Sequence, residues 1–119
     1  MKNQLRIIGG EWKRRTLPFA NVDGLRPTPD RVRETLFNWL MWDIQNAQVL
    51  DLCTGSGALG FEALSRGAAK VIMIEPNTTQ AKFLKENIAL LKAENCQLHL
   101  TTAQQALKKL DRKSTRLNS

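Results

Sequence analysis

Four residues in the middle of the chain are spaced for recognising a small charged ligand: Asp51, Gly55, Gly57 and Glu75. Asp51 sits at the end of the apolar run Gln48–Cys53. Gly55 and Gly57 follow in the loop Thr54–Gly57, and Glu75 closes the next apolar run, twenty residues after Gly55. Taken literally, Gly55-x-Gly57-x-x-Gly60 matches the glycine pattern of a dinucleotide loop, with an acid at the ribose position. Such a loop receives a pyrophosphate, and a carboxylate four residues before the first glycine would repel it. The same carboxylate attracts a cation. S-adenosylmethionine carries an ammonium and a sulfonium and no phosphate, so it satisfies all four residues. The glycines allow close backbone approach, and Glu75 can accept from two ribose hydroxyls. No lysine follows the glycines, which excludes a P-loop. A strand-end Asp that merely caps the next helix is the alternative for Asp51 taken singly; the ordered set favours the cofactor.

These residues require a frame of alternating strands and helices. Gln48–Cys53 reads as a short buried strand and Ala58–Ser65 as a helix ended by Arg66-Gly67, with the glycine past the last turn. Lys70–Ile74 reads as a second strand. Asn77 reads as the cap of a helix with the stripe Ala81, Leu84, Ile88, Leu91. Gln97–Thr101 and Ala103–Leu110 read as a third strand and a last helix. Repetition at this spacing implies a parallel sheet. Upstream, Leu5–Ile8 and Glu11–Leu17 flank Gly9-Gly10 and read as a β-hairpin. Thr28 is expected to cap a helix that begins at Pro29. On it Val32, Leu36, Trp39 and Leu40 form an apolar stripe, with Arg31, Arg33, Glu34 and Asn38 off it. The expected organisation is an N-terminal hairpin and loop over residues 1–24, the first half of an α/β domain over 25–110, and a non-native polar tail over 111–119.

The net charge is +7, and its distribution is uneven. Residues 1–33 hold eight basic and three acidic side chains, residues 34–110 seven of each, and the tail three basic and one acidic. A neutral body with a basic arm fits binding of a polyanion. Lys13, Arg14, Arg15, Arg26, Arg31 and Arg33 are the candidate RNA contacts, with a solvated basic surface as the alternative. Trp12, beside three of them, could stack on a base or fill the hairpin core. Trp39 reads as core, Trp42 is unassigned, and His99 reads as packing. Cys53 and Cys96 have no metal-ligand spacing and read as packing. No metal site is expected. No apolar run approaches the ~18–20 residues that span a bilayer, and the start lacks a signal-peptide apolar stretch. A soluble, cytoplasmic monomer without membrane contact is expected.

Two pairs of segments resemble one family. Arg6-Ile-Ile-Gly-Gly10 with Leu25–Leu40 is similar to the N-terminus of the bacterial 16S rRNA (guanine-N2) methyltransferases. Asp51–Gly60 with Glu62–Gly67 is similar to their cofactor segment. The resemblance runs from about Arg6 to Leu110. It implies a seven-stranded S-adenosylmethionine-dependent methyltransferase fold, Rossmann-like, with strand order 3-2-1-4-5-7-6. It also implies methylation of a guanine exocyclic amine in 16S rRNA or the small ribosomal subunit. It assigns Asp51, Gly55 and Gly57 to the methionine part of the cofactor, Glu75 to its ribose, and Thr102-Ala103 to its adenine. Thr102 departs from the Asp common at that position, so the backbone is expected to make the contact there. The family's catalytic tetrapeptide, Asn/Asp-Pro-Pro-aromatic, has no counterpart: the prolines are Pro18, Pro27, Pro29 and Pro76. The expectation is therefore a partial fold with the cofactor half and no catalytic residue, inactive alone. The alternatives are a non-catalytic RNA- or cofactor-binding piece, or an NAD-dependent enzyme.

Overall fold

The computed structural model describes residues 3–20, 28–52 and 54–109. Arg26, Cys53, the end of the last helix at Leu110 and the tail over 111–119 lie outside the described residues. The elements follow the expected order. β1 (Gln4–Arg6) and β2 (Thr16–Pro18) form an antiparallel pair. α1 (Asp30–Trp39) and α2 (Met41–Ile44) come next, followed by β3 (Gln48–Asp51), α3 (Ala58–Ser65), β4 (Lys70–Ile74), α4 (Thr78–Leu91) and β5 (Cys96–His99). Residues 103–109 form a last helix, α5.

β3, β4 and β5 make one parallel sheet with β4 in the centre. The order is the 3-2-1 half of the expected arrangement. Strand alternation places Val49, Val71 and Cys96 in one row and Asp51, Met73 and Leu98 in the next, on a single face. α3 and α4 cover this face, and Val71, Met73, Phe61, Leu64 and Leu84 form its core. The opposite face carries Leu50, Ile72, Ile74, Gln97 and His99. It lines a groove of about 190 Å³ crossed only by α5, through Ala106 and Lys109, among the described residues.

Several local expectations shift. α1 begins at Asp30, with Pro29 as its extended N-terminal cap rather than Thr28. Its first helical bond runs from the Arg33 N–H to the Pro29 carbonyl. The buried residues of α1 are Arg33 and Phe37. Val32 and Trp39, expected on the inward stripe, are 54% and 77% exposed. The cause is a buried ion pair: Arg33 faces Glu62 of α3, and the helix rotates to make that contact. Asn77 does cap α4, its side chain accepting from the Gln80 N–H. The buried face of α4 also includes two polar residues, Gln80 and Asn87. Gln80 donates to the Ala20 carbonyl and Asn87 to the Pro18 carbonyl, so together they hold the segment that leaves β2. β5 spans Cys96–His99 rather than 97–101.

Gly9-Gly10 is not a tight turn between long strands. The nine residues between β1 and β2 form a loop that docks against the C-terminal end of α3. Within it the Ile7 N–H donates to the Arg15 carbonyl, and the Arg14 N–H donates to the Ile7 carbonyl. Arg14 takes a left-handed conformation (φ 74°) to close this return.

Candidate cofactor site

In a parallel α/β sheet, ligands bind beyond the carboxyl ends of the strands. Asp51 ends β3, Glu75 follows β4, and Thr102-Ala103 lies just past β5, so all three positions fall on that edge. The loop between β3 and α3 is tied to the end of β4. The Thr54 N–H donates to the Ile74 carbonyl, and the Gly55 N–H donates to Glu75 Oε1 at 2.8 Å. Glu75 Oε2 accepts from the Asn77 N–H at 2.9 Å. One buried carboxylate thus fixes both the glycine loop and the start of α4. Each of its oxygens keeps a second lone pair for another donor.

Gly55 and Gly57 have φ values of 55° and 88°, a region that L side chains rarely enter. A Cβ on Gly57 would lie 2.4 Å from Phe61 Cε2. Gly60 serves a different purpose. It lets α3 press onto the sheet, where a Cβ would meet Met73 Cε at 2.5 Å and Asp51 Oδ2 at 3.3 Å.

Asp51 carries a buried oxygen at the site, Oδ2, that has no hydrogen-bond partner among the described residues. Burial raises its carboxyl above the ordinary value of 3.8. The neighbouring Thr54 and the Gly60 backbone partly offset this rise, and the Glu75 charge adds to it. A buried carboxylate oxygen without a donor has the chemistry of a receptor for a cationic group. The residues therefore fit S-adenosylmethionine: Asp51 for its ammonium, the Gly55–Gly57 backbone for close approach, and Glu75 for its ribose hydroxyls. Thr102 caps α5, its Oγ1 accepting from the Gln105 N–H at 3.2 Å, so its side chain is turned to the helix start. Cys96 lies close enough to feel the Asp51 charge, and burial pushes its thiol up to about 12. It stays protonated and serves packing.

The basic candidates divide. Lys13, Arg14, Arg15 and Arg31 are exposed. Arg33 is 1% exposed and pairs with Asp30 and Glu62, so its guanidinium is a structural group and not an RNA contact. Trp12 is half-buried against the core, and its backbone N–H donates to Ser65 Oγ. His99 is exposed on the open sheet face, not packed.

Glu62 escaped sequence reading. It is fully buried and holds Arg33 at 3.5 Å and Arg66 at 2.8 Å. It also accepts from the backbone N–H groups of Ile8 and Gly9, at 2.9 Å each. The signal for it is a charged residue on the inward face of an otherwise apolar helix, with Arg66 one turn on.

The parallel three-strand sheet with its helices is part of a Rossmann-like S-adenosylmethionine-dependent methyltransferase fold, and the candidate site lies at its strand ends. The chain belongs to the family described as Conserved hypothetical protein 95, whose model matches residues 5–119. It is 56% identical over 95 residues to Ribosomal RNA small subunit methyltransferase D of Escherichia coli K12, covering 80% of this chain and 48% of that one. The solved structure of the Escherichia coli candidate methyltransferase yhhF superposes with a TM-score of 0.82 at 48% identity, over 88% of this chain and 56% of that one. The C-terminal domain of precorrin-6Y C5,15-methyltransferase from Rhodobacter capsulatus shares the fold. There the TM-score is 0.62 at 22% identity, covering 76% of this chain and 47% of that one. The chain spans about half the length of the curated relatives it matches.

Proposed function

We propose that this chain is the cofactor-binding half of an enzyme that methylates a guanine exocyclic amine in 16S rRNA, using S-adenosylmethionine. The observation that carries this reading is the buried, unpartnered Asp51 Oδ2 beside a glycine loop held by Glu75. Bound there, the cofactor supplies an electrophilic methyl group. Asp51 takes the ammonium, Gly55 and Gly57 let the backbone approach, and Glu75 accepts from the ribose. The adenine falls beside the Thr102-Ala103 backbone. Lys13, Arg14, Arg15 and Arg31 engage rRNA phosphates, and Arg26 is assigned to the same role from sequence. The names of the curated relatives support the ribosomal RNA substrate. We assign the reaction to the cytoplasm and to a monomer. No helix among the described residues is long and apolar enough to cross a membrane.

No residue of this chain is assigned to the amine itself, so the 119 residues alone are expected to bind cofactor weakly and turn over nothing. Calorimetric titration tests the site. Glu75→Ala is expected to weaken S-adenosylmethionine by about 1.5–3 kcal/mol, the range for hydrogen bonds to a charged group. Unchanged affinity would remove Glu75 from the site. Tighter binding of NAD than of S-adenosylmethionine would replace the reading with a nicotinamide one.

A further inference from the structure

α3 runs from the cofactor loop to the opposite edge of the sheet, and the basic loop between β1 and β2 is fastened to its far end. The fastening is extensive. Glu62 accepts from the N–H groups of Ile8 and Gly9. The Glu11 N–H donates to the Ser65 carbonyl at 2.7 Å, filling one of the helix's orphan C-terminal acceptors. Ser65 Oγ donates to the Gly9 carbonyl at 2.6 Å and accepts from the Trp12 N–H at 2.9 Å. Gly10 (φ 81°) lies so near that a Cβ would be 1.9 Å from the Ser65 carbonyl oxygen. Lys13, Arg14 and Arg15 follow directly and are exposed. The eight residues of α3 measure about 12 Å at 1.5 Å per residue.

We propose that Glu62, Ser65 and Gly10 are positioning residues that hold the Lys13–Arg15 cations one helix-length from the cofactor loop, so that the arm grips RNA backbone at a set distance from the base presented to the cofactor. The inference rests on the reading of the arm as an RNA contact. A loop anchored only by β1 and β2, three residues each, would let these cations wander. Two backbone N–H groups on a buried carboxylate, which is itself neutralised by Arg33 and Arg66, leave the loop a single position.

The test compares three variants of the full chain, binding a 16S rRNA transcript across a salt series, with S-adenosylmethionine affinity measured in parallel. Replacing Lys13, Arg14 and Arg15 by Gln is expected to lower the slope of log affinity against log salt by about 0.7–0.9 for each phosphate no longer neutralised. Gly10→Val, which displaces the loop from Ser65 without altering charge, is expected to lower the slope similarly while cofactor affinity stays unchanged. A wild-type slope for Gly10→Val beside a reduced slope for the charge variant would overturn the positioning role and leave the arm as an RNA contact. A wild-type slope for the charge variant itself would overturn the arm reading, and the inference with it. If Gly10→Val also loses cofactor binding through unfolding, Ser65→Ala decides. A lower slope with cofactor binding retained supports the proposal, and an unchanged slope refutes it.

Discussion

Asp51 illustrates a residue whose stability and function oppose each other. Its carboxyl is buried beside Glu75, and Oδ2 has no donor among the described residues. Folding raises its pKa, so the folded chain holds the proton more firmly than the unfolded chain does. Its contribution to stability is therefore present below the ordinary carboxylate range and lost as pH rises through the folded-state value. Asp51→Asn removes that loss. The variant is expected to be more stable than the parent by about 1 kcal/mol at neutral pH, with the difference shrinking as pH falls through the raised folded-state value toward the ordinary 3.8. It should bind S-adenosylmethionine measurably more weakly. Thermal melts across pH, paired with titration calorimetry, check both halves. Equal melting temperatures at neutral pH would mean that Asp51 has a donor in solution. The residue is legible in sequence because strand-end acid and glycine spacing encode it locally. Arg33 is not: its role depends on Glu62, 29 residues away, and helical spacing alone puts it on the solvent side.

At the scale of elements, α3 is the organising helix. One end follows the glycine loop, its middle packs Phe61 and Leu64 into the core, and its inward carboxylate joins α1 to the loop between β1 and β2. Glu62→Ala would remove the buried carboxylate that faces Arg33 and Arg66, leaving Arg33 only the half-exposed Asp30 and the Ile8 and Gly9 N–H groups no acceptor. The expected cost is about 3–5 kcal/mol in denaturant unfolding, the range for breaking one side of a buried pair. A loss under about 1 kcal/mol would show that the pair behaves like an exposed one. Strand and helix order in the α/β part is readable from hydrophobic period, since β3, β4, α3 and α4 are local patterns. The orientation of α1 is not. Its apolar residues Val32, Leu36, Trp39 and Leu40 satisfy a helical stripe, yet tertiary pairing of Arg33 sets which side turns inward.

Among the described residues, α3 and α4 cover one face of the sheet and the other face is largely open. β3 pairs only with β4 among the described residues, and Leu50 on its open face is exposed. Trp39 and Trp42 of the neighbouring helices are also exposed. A strand with one free edge beside exposed apolar side chains is a template for association. Light scattering of the 119-residue chain is expected to rise with concentration, and Leu50→Lys is expected to suppress it without lowering the melting temperature. Scattering that does not respond to Leu50→Lys would place the sticky surface elsewhere. The part of this chain that aligns covers about half the length of the curated relatives it matches.

The two buried carboxamides of α4 also impose an order on biosynthesis. Gln80 and Asn87 seize the carbonyls of Ala20 and Pro18 across separations of 60 and 69 residues. A ribosome adding ~5–20 residues per second needs roughly 3–14 s to cover the longer one. Through that interval the N-terminal segment has emerged, but the side chains that will clamp it have not. The first part of the chain to be made is thus among the last to be secured. A nascent chain halted before residue 80 should expose its first twenty residues to protease, and one halted well beyond Asn87 should shield them.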